Sequence, residues 1–252
     1  FSDLAAGVIA LGRALMLLIP ALLMLPLVLP IGAAKDWEFV DIQPYATSKV
    51  DGDVQWWTGD PGGSILRELP IGQVAEMEGP DGKVPYKIEE GCIVLFGTNA
   101  PKWPKEVKGI NVNAKARFIY FLHATGWEFV GGPSYKFVMN YEDGTSEELL
   151  METHFTSDDW GHDGSQLQDE ISVWAWRVQG RPPCDHSGLI TTKWENPHPD
   201  KVITSIDAIS LGTSAVPLIV AITLRDVTAA VDPSDRLAVI WGGIKRGIIG
   251  RR

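Results

Sequence analysis

The run Ala116-Arg117-Phe118-Ile119-Tyr120-Phe121-Leu122 decides the fold class: it has the length of a strand and is dense in β-branched and aromatic residues. The same kind of segment recurs on both sides of it. Upstream lies Gly91-Cys92-Ile93-Val94-Leu95-Phe96; downstream lie Tyr135-Lys136-Phe137-Val138-Met139, the stretch Ile171 to Val178, and Ala215 to Leu224. Gly, Pro, Asn and Asp separate these runs. Between Trp37 and Asp232 no apolar period of about 3.6 is sustained over about 12 residues, and turn signals come too often for βαβ units. The region is predicted to be an all-β, jelly-roll-like sandwich.

Two Asp-Gly pairs predict hairpins. Tyr141-Glu142-Asp143-Gly144-Thr145 places one between strand-like runs, and Asp81-Gly82 falls between Met77 and Val84. Along Ile171 to Val178 the strand period of two puts Trp174 and Trp176 on one face, as core packing or as a surface platform.

Composition narrows the function classes. The chain has 252 residues, 45% of them apolar, with ten Trp, 26 Gly and 17 Pro, which excludes a disordered or collagenous chain. The formal charge is −10, and Trp37 to Asp232 carries 15 Lys plus Arg against 29 Asp plus Glu. So acidic a surface repels phosphate backbones, and no nucleic-acid partner is expected. The two cysteines, Cys92 and Cys184, show no zinc-ligand or C-x-x-C spacing, and their pairing stays open.

The two ends differ from this middle. Ala14 to Ala34 is 21 consecutive uncharged residues, enough to cross a bilayer as a helix kinked at Pro20, Pro26 and Pro30. The competing reading is a secretory signal, because Gly32-Ala33-Ala34 offers a cleavage site. The expectation adopted is a single retained membrane anchor over residues 1–36. Arg13 on its N-terminal side favours export of residues 37–232 to the periplasmic face of a bacterial inner membrane, although Lys35 narrows that preference. Residues 233–252 interleave apolar with basic residues. Trp241, Lys245, Arg246, Arg251 and Arg252 are the expected docking residues of this tail, on an anionic lipid surface or a partner chain.

The series Phe121-Leu122-His123-Ala124-Thr125-Gly126-Trp127, Tyr141-x-Asp143-Gly144, Trp194-Glu195-Asn196-Pro197-His198-Pro199, Ser205-Ile206-Asp207 and Ala221-Ile222-Thr223 resembles the pattern of galactose-binding-like jelly-roll domains. These occur in bacterial envelope and secreted proteins, often joined to glycoside hydrolases or membrane anchors. The resemblance spans roughly Trp37 to Asp226 and implies a sandwich that binds sugar through loops at one end. It assigns no sugar-contacting residue.

Hydrolase, metalloprotease, P-loop and dinucleotide motifs are absent from the sequence, as is C-x-x-C-H, so neither an enzyme nor a cofactor is expected. His154, Asp158, Asp159, His162 and Asp163 crowd around Trp160 and Gly161 as either a metal loop or a solvated acidic loop. Glu195 and Asp207 are the carboxylates a glycosidase reading would use, while Asn196-Pro197 and Pro199 argue for a rigid loop. Trp56 and Trp57, read as an exposed pair, and Trp174 are the candidate platform for a sugar ring or a partner side chain, or else plug one end of the sandwich. The expectation is a non-catalytic accessory or structural subunit of a larger membrane complex, for which a photosynthetic or respiratory assembly would be a suitable scaffold. The alternative is a membrane-tethered carbohydrate-binding module.

Overall fold

The computed structural model describes residues 35–62, 65–162, 164, 166–179 and 186–229. Of the expected anchor, residues 1–36, only Lys35 and Asp36 are described, and they begin a strand; residues 1–34 and those from 230 onward, with Trp241, Lys245, Arg246, Arg251 and Arg252, lie outside the described residues. The chain divides into two units, Phe1–Ile31 and Gly32–Arg252, and the described residues belong to the second. Among them no helix is long and apolar enough to cross a membrane.

The fold is an all-β sandwich, consistent with a jelly roll. Its strands are β1 (Lys35–Phe39), β2 (Ser48–Lys49), β3 (Gln73–Gly79), β4 (Gly82–Ile88), β5 (Gly91–Val94), β6 (Glu106–Lys115), β7 (Phe118–Gly126), β8 (Pro133–Tyr141), β9 (Ser146–Glu152), β10 (Gly161–His162), β11 (Ser172–Gln179), β12 (His186–Glu195), β13 (Ile203–Ser210) and β14 (Val216–Ala229). All five strands expected from apolar runs are present, and the last extends past Leu224 to Ala229. Both Asp-Gly pairs turn hairpins, β3–β4 and β8–β9.

One sheet runs β11-β12-β7-β14, with β10 pairing the start of β12 on the edge that β7 takes further along, and with β5 and β1 end to end along the far edge of β14. The other runs β6-β13-β8-β9. The long β14 joins them, since its last residues, Thr228 and Ala229, pair with Lys115 and Ala114 of β6.

Every residue of β7 is buried, because its sheet is covered on both faces. Ile119 and Phe121 point between the sheets, where the Phe121 ring stacks on Phe137 of β8 with centroids 3.9 Å apart. Phe118, Tyr120, Leu122 and Ala124 point the other way, into a second core closed by the β3–β4 hairpin and the segment carrying Trp56, Leu66 and Leu69.

Register corrects one expectation. In β11 Trp174 pairs with Ile190 and Trp176 with Leu189, so Ala175 is an inserted bulge residue. Trp174 therefore falls on the face of Ile190 and its β7 partner His123, and Trp176 on that of Leu189 in the second core. They do not share a face.

Candidate functional site

β7 ends at Gly126 beside Val216, the first residue of β14. That end of the sandwich gathers the loops 127–132, 153–160 and 211–215, together with the segments around Trp56 and Trp103. Short contacts hold them together. Phe129 N–H donates to Thr153 Oγ1 at 3.3 Å, Ser214 Oγ–H to the Glu128 carbonyl at 3.1 Å, and Trp103 Nε1–H to the Trp56 carbonyl at 2.8 Å. The carbonyl of Asp158 accepts both the N–H and the hydroxyl of Thr125 at 2.9 Å, and Trp160 N–H donates to the Thr125 carbonyl at 2.8 Å. The 153–160 loop is thereby fastened to the end of β7.

Tryptophans line this end. Trp57 stacks on Trp160 at 5.5 Å and 25°, and Trp56 meets both edge-on at 5.7 and 5.9 Å. Trp57, Trp127 and Trp160 are half-buried against the second core. Gly126 permits the approach: a Cβ there would lie 2.6 Å from the Cβ of Trp57. Trp56 is fully buried, not exposed as the sequence reading had it. It faces inward because the second core needs a large side chain under the 53–62 loop. Trp174 is also buried, at 6% exposure, with the Arg177 guanidinium over its ring at 5.4 Å, and is no platform. Of the three expected platform residues only Trp57 remains available.

Beside this stack three potential metal ligands converge. His154 Nδ1 lies 3.5 Å from Asp158 Oδ2 and His154 Nε2 lies 3.9 Å from Glu128 Oε2. One donor atom from each of the three residues fits within a mutual 4.8 Å. Sequence reading singled out His154 and Asp158 but missed Glu128, which is adjacent only through the β7–β8 connection. The Trp127-Glu128 pair closing the β7 run was the available signal. Asp163 and the side chain of His162 lie outside the described residues.

Asp158 Oδ1 accepts the Asp159 N–H at 2.8 Å, and Asp159 Oδ1 accepts the Gly161 N–H at 3.1 Å. Burial pushes the carboxyl of Asp158 upward and that of Asp159 up to about 7, with the neighbouring carboxylates adding to the rise. Among the described residues no lysine or arginine forms an ion pair with Glu128, Asp158 or Asp159. Trp127 and His154 both adopt left-handed backbone, at φ 60° and 69°.

A buried polar chain supports the loop from the inter-sheet side. Tyr135 OH contacts His123 Nδ1 at 2.6 Å and Ser157 Oγ at 3.3 Å, and His123 Nε2 contacts Thr192 Oγ1 at 2.8 Å. Thr192 Oγ1–H in turn reaches the Thr156 carbonyl at 2.8 Å.

The proposed carboxylate pair is not assembled. Glu195 pairs with Arg117 at 3.5 Å, whereas Asp207, in the other sheet, accepts the Gly109 N–H at 2.8 Å. Asn196 fixes the rigid loop as expected, accepting from Tyr141 OH at 2.6 Å and donating to the Ala116 carbonyl at 2.8 Å. Cys92 is a buried free thiol and Cys184 lies outside the described residues. No family model, curated protein or solved structure matches the chain.

Proposed function

We propose that this chain is a non-catalytic, membrane-anchored binding protein whose β-sandwich presents the Trp57–Trp160 end to a carbohydrate. The observation that carries the reading is the half-buried Trp57–Trp160 stack beside the partly exposed acceptors Glu128 and His154. An apolar ring face next to a few polar groups is the combination a sugar recognises, with stacking on its C–H face and acceptors for its hydroxyls. The resemblance to galactose-binding-like domains agrees with a ligand held by loops at one end. Strand direction adds a geometric argument. β14 starts at the tryptophan end, while Lys35 pairs with Val227 near its other end, so residues 35 and 229 both leave the sandwich away from the site.

Calorimetric titration of the full chain in detergent with envelope glycans tests the reading. Saturable binding weakened at least about tenfold by Trp57→Ala is expected; no binding to any glycan tried defeats it.

Membership of a larger membrane assembly, with lipid and partner subunits covering the anchor and tail, is the companion proposal. It rests on the uncharged run 14–34 and on the basic, apolar composition of 233–252. Purification in mild detergent should yield copurifying chains, and a monodisperse monomer counts against it.

A further inference from the structure

We infer that Glu128, His154 and Asp158 are the donor set of a divalent transition-metal site of the zinc class, one that clips the 127–132 loop to the 153–160 loop. The site shares Glu128 and His154 with the proposed carbohydrate surface, but the inference does not rest on carbohydrate binding.

The first support is convergence. The donors come from two connections, and one atom from each lies within 4.8 Å of the others. Zinc holds nitrogen and oxygen ligands at about 2.0 to 2.2 Å, which sets tetrahedral neighbours about 3.4 Å apart. The gap to close is at most about 1.4 Å, within reach of rotation of Glu128 and His154, whose side chains are open to solvent.

The second support is charge. The Asp158 side chain is 3% exposed, yet among the described residues no lysine or arginine pairs with it, with Asp159 or with Glu128. Buried carboxylates are ordinarily matched by a cation or a metal. Among the described residues the basic group within ion-pairing distance is the His154 imidazole, which is itself a metal ligand when neutral.

The third support is donor type. A site for calcium or magnesium is built from oxygen, whereas an imidazole nitrogen beside two carboxylates favours zinc and its neighbours. The ring lies between the two carboxylates, with Nδ1 toward Asp158 and Nε2 toward Glu128.

The test uses the tag-free full chain in detergent, stripped with a chelator and titrated with zinc chloride, then with calcium chloride. One zinc per chain is expected, bound saturably, with a raised melting temperature. His154→Gln and Glu128→Gln, both at partly exposed positions, should each weaken zinc at least about tenfold while retaining the native circular dichroism. His198→Gln, at the opposite end of the sandwich, should leave the affinity unchanged. Absence of saturable zinc binding by the folded wild-type chain overturns the assignment. So does unchanged affinity in both site variants, or calcium bound more tightly than zinc. Titrating a glycan into both zinc-free and zinc-loaded protein separates the two readings, since zinc binding with no glycan binding in either form leaves this site standing and removes only the carbohydrate proposal.

Discussion

His123 is wholly buried between Tyr135 and Thr192, and burial lowers its pKa to about 3. At pH above 6.5 the ring is neutral whether the chain is folded or not. Between pH 6.5 and about 3 only the unfolded chain takes the proton, so stability falls with acidification by up to about 1.4 kcal/mol per pH unit. Urea unfolding at pH 7, 5 and 4 should show this slope reduced in His123→Gln relative to wild type; equal slopes would refute it. Asp159 has the opposite sign. Its folded pKa of about 7 exceeds the unfolded value, so its contribution is complete below about pH 4 and is lost as pH rises through 7. Asp159→Asn should therefore stabilise the metal-free protein at pH 8 and not at pH 4, measured by the same unfolding experiment. Trp56 and Trp57 are adjacent in sequence but differ in role. Trp56→Ala should cost about 3 to 5 kcal/mol because that ring is fully buried, whereas Trp57→Ala, at a half-buried ring, should cost less and act mainly on ligand binding.

At the scale of strands and turns, the features read from sequence were those with local causes. Asp143-Gly144 turns β8 into β9 because Gly144 adopts φ 82° with nothing within 4 Å of where a Cβ would stand. Gly144→Ala should then cost only the backbone penalty, about 1 to 2 kcal/mol in a melting measurement. Gly188 of β12 differs, since a Cβ there would meet the Trp176 carbonyl oxygen at 2.6 Å and the Trp174 ring at 3.1 Å. Gly188→Ala must push β11 from β12 and should cost about 1 to 3 kcal/mol from overpacking, with near-ultraviolet dichroism changed at Trp174. A Gly188→Ala chain as stable as wild type would mean that the β11–β12 contact is looser than its geometry. The Ala175 bulge beside it was not legible. The side-chain sequence of β11 alternates as well with the bulge as without it, and only pairing against β12 reveals the extra residue.

For the whole molecule, the domain should hold together without its terminal segments. β14 ends at Ala229, so truncation after Asp232 removes no described strand. An unchanged melting transition, with loss from any copurifying assembly, is the expected outcome; a collapsed transition would place the tail in the core. The sequence by itself determined the all-β class, five strands, two hairpins, an acidic middle between two chemically distinct ends, and the rigid Asn196 loop. These follow from residue type at short spacing, from β-propensity, from turn chemistry and from summed charge, none of which needs a distant partner. Tertiary structure alone decided which faces were covered. β7 is buried along its whole length because it lies between two cores, a fact set by the β3–β4 hairpin folding across its sheet. Burial of Trp56, separation of Trp174 from Trp176 and the meeting of Glu128 with His154 and Asp158 depend in the same way on long-range pairing. The 25 residues between Glu128 and His154 pass out along β8 and back along β9, and it is the return of that hairpin to the end of β7 that brings the site together.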